Sequence, residues 1–413
     1  MAGRVERMRI AVIGAGGAGA CTALELARRG HSVELFDRHE EAVSQATFAN
    51  EGKIHLGLIY AKDTTLATAR QMIEGAIAFE SLMQRWLPFR AADLRSTPFY
   101  YGVHRGSLMR PDALEHHYHR CGDYHDERAR ALGLDYLGLG VGCRARRLAE
   151  AEYPDGVDPA PLEALFETTE HAIDPRAFAA CVRAALAAEP RIQLRRSQRV
   201  TAVEPLPRGG YRVAFEHGGR REAETFSDVA NTSWHERLPL DRPLGIRPPG
   251  PYSHRYKFGH RIAIPVAPGR IPSLTYVQGP FGDVVNFRAN GLFLSWYPTG
   301  RTGMSTAETP PDWHALYSRD ERMAVFDRSF DAWRKRCPAL ATLPFTSEQV
   351  DPYGGVIYAL GTTDVDDAAS RLHERREIGL QSVGRYHSLD PGKFTLVPWW
   401  AVRLADRIEA AAG

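Results

Sequence analysis

Lysine is almost absent. Five residues, at positions 53, 62, 257, 335 and 393, stand against 47 arginines among the 52 basic residues of this 413-residue chain. The bias is compositional, so a scattered arginine says little about function and a lysine stands out. The 50 acidic residues leave a formal charge of +2. With no clustered basic surplus, a nucleic acid is not an expected partner. Cysteine is scarce too: residues 21, 121, 143, 181 and 337, odd in number and never spaced C-x-x-C. That pattern excludes a disulfide framework and a zinc site, so no metal is expected, and it reads as reduced thiols in a cytoplasmic protein. The longest apolar stretch, Ile10–Leu24, is glycine-rich and short of the roughly 20 residues of a membrane span. Repeats, low-complexity tracts and heptads are missing as well. With 25 % charged and 44 % hydrophobic residues, wholesale disorder is excluded. The length suggests two or three domains.

What is present begins with a short apolar strand, Arg9–Ile13, running into Gly14-Ala15-Gly16-Gly17-Ala18-Gly19. A helix through Arg29 follows, stopped by Gly30, and a second strand, His31–Phe36, ends at Asp37-Arg38. The spacing is that of a dinucleotide cradle. Gly14 permits the tight turn, Gly16 lets a pyrophosphate approach the backbone, and Gly19 lets helix and strand pack closely. The helix N-terminus offers N–H groups and a positive dipole end to phosphates. Asp37 suits a ribose diol and disfavours a 2′-phosphate.

The segment 44–60 contains Ser44, Thr47, Asn50, Gly52, Lys53, Ile54, His55, Gly57 and Tyr60. It resembles the stretch that flavoproteins of the D-amino-acid oxidase superfamily lay along the FAD pyrophosphate and flavin, and is most similar to L-2-hydroxyglutarate oxidases and dehydrogenases. The resemblance implies FAD as cofactor. The block from the Asp174-Pro175 helix start through Val200 to Asn231-Thr232 is similar to the second nucleotide-binding portion of that superfamily. It implies that Val200 flanks the adenine and that Asn231-Thr232 end a strand below the cofactor. Gly392-Lys393-Phe394-Thr395 resembles an element of flavin-dependent glycerol-3-phosphate dehydrogenases. A helix starting there would aim its N-terminus at the flavin pyrimidine edge and stabilise charge on reduction. The Gly-His-x-Gly stretch of amine-oxidising relatives is absent; Tyr386–Pro391 stands in its place.

The implied fold is α/β, with a Rossmann-like FAD-binding domain and a substrate domain of mixed or antiparallel sheet plus helices. The expected cofactor portion comprises 1–63, 165–240 and 346–413. The expected substrate portion comprises 64–164 and 241–345. Within the latter, periodicity predicts helices over 64–87, 111–132, 309–316 and 321–337, and short strands from 260 to 297 forming an antiparallel meander.

A flavin performs the electron chemistry while the protein binds and orients. The expected reaction is dehydrogenation of a small polar substrate at a CH–NH or CH–OH carbon, with oxygen or another acceptor completing the cycle. His55 stands as base or flavin contact, as a covalent anchor of FAD, or as a structural histidine. Tyr256 and Lys257 precede the meander as further catalytic candidates. In the charged stretch 364–376, Arg371 or Arg376 would supply a guanidinium fork for a substrate anion; a salt-bridged solvated helix is the other reading of that stretch. A flavin monooxygenase and a catalytically silent FAD-binding protein are the alternative functions. Gly122-Asp123 and Gly282-Asp283 fall in the wrong context for the second motif of a monooxygenase.

Overall fold

A computed structural model describes residues 7–411 except 368, 373 and 376. Arg9–Ile13 is a strand whose last four residues are buried, as a strand covered on both faces requires. Ser32–Phe36 and Asp228–Asn231 flank it in parallel, with Ile10 opposite Val33 on one side and Asp228 on the other. Ile192–Arg195 extends one edge, and the hairpin Gly379–Val383/Tyr386–Asp390 completes six strands at the other. The helix Gly17–Arg28 crosses between the first two strands and ends before Gly30, whose φ of +98° is open to glycine without strain. It packs on the terminal helix Val397–Ala410.

A larger sheet of nine strands stands beside the first. Its longest members, Tyr252–Ile262 and Val350–Leu360, pair antiparallel from Tyr252/Leu360 to Ile262/Val350. Leu292–Trp296, Gly282–Asn286 and Ser273–Val277 follow as the expected meander. Ser273–Val277 then joins Phe99–His104 in parallel, so the sheet is mixed. Helix Arg319–Arg334 covers one face, started by a reciprocal capping box between Ser318 and Glu321. A three-stranded sheet, Arg199–Pro205, Tyr211–His217 and Arg220–Phe226, sits apart as a meander.

Several expectations need correction. The boundaries at 165 and 346 cut into the larger sheet, because Leu162–Thr168 pairs with Phe99–His104 and Val350–Leu360 with Tyr252–Ile262. No helix forms over 309–316. Pro310 and Pro311 leave turns there, with Trp313 buried and Leu316 61 % exposed. The described residues between 361 and 378 form no helix, against the salt-bridged helical reading of 364–376. The helix Pro111–Leu132 has the expected bounds, and its His117 is buried against Gly57 O at 3.0 Å.

Candidate active site

One cavity of 540 Å³ runs from the glycine turn to the inner face of the large sheet. Its first end is built from backbone. Gly14 sits at φ +92°, and a Cβ there would meet Ser233 Cα at 2.7 Å. A Cβ on Gly19 would lie 1.9 Å from Gly14 O, so helix and turn touch through bare backbone. Gly16 differs: a Cβ there would meet no protein atom within 4 Å, and the residue lines the cavity. Gly16 caps the helix with no side-chain partner, and the first turn carries no acid. Gly17 N donates to Thr47 Oγ1 at 3.1 Å. Asp37 accepts from Ala15 N at 2.7 Å and His39 N at 2.8 Å and keeps lone pairs for a diol. Arg38 pairs with Glu236 at the same end. A donor-rich helix end with open space above a glycine fits a diphosphate, so these residues suit FAD.

The segment after Thr47 is fastened by its own side chains. Asn50 Nδ2 donates to Ala46 O at 3.0 Å and Thr47 O at 2.6 Å, and its Oδ1 accepts from Gly52 N at 2.6 Å. Gly52 has φ +73°, with Ile173 O only 2.0 Å from where a Cβ would sit. That approach lets Lys53–Ile54 pair with His171–Ala172. Glu170 is thereby brought beside His55, with Nδ1 and Oε1 3.3 Å apart. The contact is an ion-pair distance without hydrogen-bond alignment. Glu170 also accepts from Leu56 N at 2.7 Å and from Tyr101 OH. Burial pushes the His55 pKa down, Glu170 pulls it partly back, and the net value lies below the ordinary one. For Glu170, burial pushes upward but His55 and Lys53 outweigh it, and the group stays ionised. His55 N donates to Thr395 Oγ1 at 2.9 Å, and that hydroxyl donates to Lys53 O at 3.1 Å. Thr395 thus clips the histidine to the N-terminus of the terminal helix.

Three of the five lysines converge here. Lys53 Nζ lies 2.6 Å from Asp283 Oδ1, above the rings of Phe99 and Tyr101. Lys257 Nζ is 3.8 Å from Asp283 Oδ2. Lys393 lines the cavity near Glu51; burial lowers its pKa to about 8 against the pull of Glu51. Arg375, only 4 % exposed, reaches the same space and donates from Nη1 to Tyr358 O at 3.1 Å, while its Nε has no hydrogen-bond partner among the described residues.

Of the expected site residues, Gly14, Gly16, Gly17, Ala18, Asp37, Arg38, Ser44, Thr47, Asn50, His55, Val200, Thr232, Lys257, Gly392, Lys393 and Phe394 line the cavity. Ala15, Gly19, Gly52 and Thr395 stand one layer behind, shaping it through the contacts above. Asn231 is a correction. Its amide is spent on Arg237 O, Asp241 and Tyr386 OH, behind the strand end. Thr232 holds that end to the turn by donating to Ile13 O at 2.8 Å. Tyr256 is a second correction. Strand side chains alternate, so with Lys257 facing the cavity Tyr256 points away, stacked between Trp313 and Tyr317 with its hydroxyl 3.2 Å from His314 Nδ1. The Arg376 expectation lies outside the described residues. Arg371 is exposed and paired with Glu374. Glu170, Arg375 and Asp283 were missed as site residues. Asp283 carried a signal, an acid beside Gly282 in a run of apolar strand residues; Glu170 and Arg375 had none in their local pattern.

Comparison with known proteins agrees with this geometry. A family model described as FAD dependent oxidoreductase (DAO) matches residues 9–357. The fold is similar to L-alpha-glycerophosphate oxidase from Mycoplasma pneumoniae, solved with FAD bound, at TM-score 0.64 and 17 % identity over 98 % of this chain and 95 % of that one. It is also similar to glycine oxidase from Geobacillus kaustophilus, at TM-score 0.66 and 15 % identity over 98 % and 95 %. A D-amino acid dehydrogenase of Cereibacter sphaeroides is 50 % identical over 50 residues, which span 12 % of either chain. With the family match running through the glycine turn, the 44–60 segment and most of the large sheet, this chain belongs to the FAD-dependent oxidoreductase family and is an enzyme whose cofactor is FAD.

Proposed function

We propose that the enzyme dehydrogenates a small polar substrate bearing a carboxylate, at a CH–NH or CH–OH carbon, with His55 as the base. The observation carrying this is the buried Glu170–His55 pair on the wall of the cavity that begins at the glycine turn. Bound FAD would supply the hydride acceptor for the substrate carbon. Glu170 faces Nδ1 of His55 and leaves Nε2 to meet the substrate. Burial keeps the imidazole neutral and ready to take the hydroxyl or amine proton. The fixed carboxylate then stabilises the imidazolium. Arg375, whose Nε has no hydrogen-bond partner among the described residues, offers a fork to the substrate carboxylate. The glycine turn and Asp37 would hold the pyrophosphate and ribose, and Lys393, with the turn Phe394–Leu396 that leads into the terminal helix, would meet the flavin edge. Oxygen or another acceptor takes the electrons onward. The amine is the commoner donor among the similar proteins, whose names include a D-amino acid dehydrogenase and a glycine oxidase; the L-alpha-glycerophosphate oxidase acts on an alcohol. A monooxygenase reading is disfavoured because Asp283 is bound to Lys53 inside the large sheet.

The test is anaerobic titration of the holoenzyme with amino and hydroxy acids. Bleaching of the visible flavin band by such donors is expected. Bleaching by NAD(P)H alone would instead mark a monooxygenase, and no bleaching by either would mark a silent flavoprotein.

A further inference from the structure

Glu170 is held between two separate strand pairings. Its carbonyl accepts from Phe99 N at 2.9 Å, just beyond the pairing of Leu162–Thr168 with Phe99–His104. One residue later, His171–Ala172 pairs with Lys53–Ile54 and sets His55 beside the carboxylate. The large sheet reaches this segment through Tyr101, two residues along from Phe99 and on the same face of its strand, where both rings lie under Lys53 Nζ. Tyr101 is fully buried, with Thr275 in parallel register on one side and Phe166 in antiparallel register on the other. Its hydroxyl donates to Glu170 Oε1.

That oxygen is the one nearest His55. Oε2 takes the Leu56 N–H at 2.7 Å, and Oε1 lies 3.3 Å from Nδ1 without hydrogen-bond alignment. A carboxylate fully engaged by Nδ1–H would favour the imidazolium and leave the base protonated. One whose oxygens point at a backbone N–H and a phenol keeps its electrostatic pull and forgoes that bond. A phenol donating to a buried carboxylate makes one of the stronger hydrogen bonds. We infer that Tyr101 is a positioning residue: its hydroxyl turns Glu170 Oε1 from full engagement with His55 Nδ1 and so keeps the imidazole free to accept the substrate proton. The inference rests on the reading of His55 as the base and deepens it.

The surrounding charges leave the acid side to this pair. His55 is faced by Glu170, Lys53 and Lys393, with the Tyr60 ring edge-on at 5.5 Å. Lys393 changes charge only as pH rises through about 8. Burial holds the nearby Tyr60, Tyr101, Tyr118, Tyr136, Cys121 and Cys143 protonated, each pKa raised. It also lowers the pKa of His117, and that of His171 to about 4. An acid limb in activity could therefore mix two histidines, and His55 has to be followed by itself.

NMR of the holoenzyme carrying isotope-labelled histidine does so, with the His55 signals assigned by their loss in His55→Asn. In wild type the Nδ1 proton should lack the far-downfield signal of a strong histidine–carboxylate hydrogen bond; its presence there would overturn the inference by itself. Tyr101→Phe should bring that signal in and raise the His55 titration by roughly one pH unit. In anaerobic bleaching by an amino or hydroxy acid, the acid limb should rise by the same amount. The rate above the limb should match or exceed wild type, because the released pair is the stronger base. Two comparisons separate this from a packing effect. In a Glu170→Gln background, Tyr101→Phe should leave the titration where it stands, since no carboxylate remains to be released. Tyr118→Phe removes a buried hydroxyl with no hydrogen-bond partner among the described residues and should not move the titration either. A titration unmoved or lowered by Tyr101→Phe, or raised equally in the Glu170→Gln background, would overturn the inference. A raised titration with no matching shift in the bleaching limb, or in an enzyme that no donor bleaches, would overturn the reading of His55 as base and leave the pairing intact.

Discussion

Asp283→Asn tests the charge arrangement at the large-sheet end of the cavity. Asp283 Oδ1 accepts from Lys53 Nζ at 2.6 Å and Thr275 Oγ1 at 2.8 Å; Oδ2 faces Lys257 Nζ at 3.8 Å and Ser295 Oγ at 3.3 Å. At an effective dielectric of about 20 the two ion contacts amount to about 6 and 4 kcal/mol. Desolvation of the buried charges offsets most of that. The substitution removes the anion and leaves the Lys53 ammonium buried, with the rings of Phe99 and Tyr101 still under it. Those rings retain roughly 0.5–2 kcal/mol of attraction. The expected loss is therefore about 3 kcal/mol, the lower end for breaking one side of a buried pair. Urea unfolding of FAD-saturated wild type and variant measures it. Burial pushes the Asp283 pKa up, but Lys53 and Lys257 overcome this and hold it well below the carboxylate range. The stabilisation is thus fully present above the unfolded pKa of about 4 and is lost as pH falls through the depressed folded value. The gap between the proteins should be constant near neutrality and close only in strong acid. Lys53→Met with Asp283→Leu should recover most of the loss, since a matched apolar pair avoids the desolvation. A single variant within about 0.5 kcal/mol of wild type, the range of a neutral surface change, would refute the reasoning.

Gly16→Ala adds a methyl group that meets no protein atom, so apoprotein stability should hold while FAD affinity falls, read as flavin retained after gel filtration. Glu170→Gln should slow anaerobic bleaching roughly 100-fold, within the usual worth of a general base. Wild-type activity should fall as pH drops and His55 takes up a proton; removing the carboxylate that raises its pKa should move that acid limb to lower pH, and a limb that stays put would count against the pair. Tyr256→Phe should leave kcat/KM unaltered and lower stability by about 1 kcal/mol, the worth of the lost hydroxyl contact. Lys393→Met should abolish any change in the flavin midpoint potential that sets in as pH rises through about 8, where wild-type Lys393 loses its charge.

The residues legible in the sequence are those whose roles are written in local geometry. Gly14, Gly16 and Gly19 are readable because a turn, a phosphate approach and a close packing each forbid a side chain at a set spacing. Asp37 follows because the helix and strand between it and Gly19 have regular lengths. Glu170 obeys no such rule. It meets His55 only because the two-residue pairing of Lys53–Ile54 with His171–Ala172 folds distant chain together. Alternation along Tyr252–Ile262 allows either Tyr256 or Lys257 to face the cavity, but which one is set by the register against Val350–Leu360. The described residues between 361 and 378 form no regular element whose period could be read, so the inward Arg375 cannot be told from the exposed Arg371.

The lysine scarcity is the exception, a compositional signal that points to the site. Arginine serves the exposed ion pairs, as in Arg146–Glu152 and Arg212–Glu204, where either cation is worth little. Inside the cavity the requirement changes. Between Asp283 and the faces of Phe99 and Tyr101 there is place for a compact ammonium, and a planar guanidinium with five donors would leave several unmet. At 393 a cation close to losing its proton is available only from lysine, since a guanidinium stays charged. In a chain that otherwise uses arginine, lysine stands at 53 and 393 where the two side chains differ physically. The same logic applied to Lys62, which donates to the Asp367 carbonyl at 3.2 Å from a half-buried position, and to the exposed Lys335 assigns them no such role. Lys62→Arg and Lys335→Arg should therefore leave flavin binding and turnover at wild-type levels, while Lys53→Arg should reduce flavin content; equal tolerance at all three positions would remove the argument.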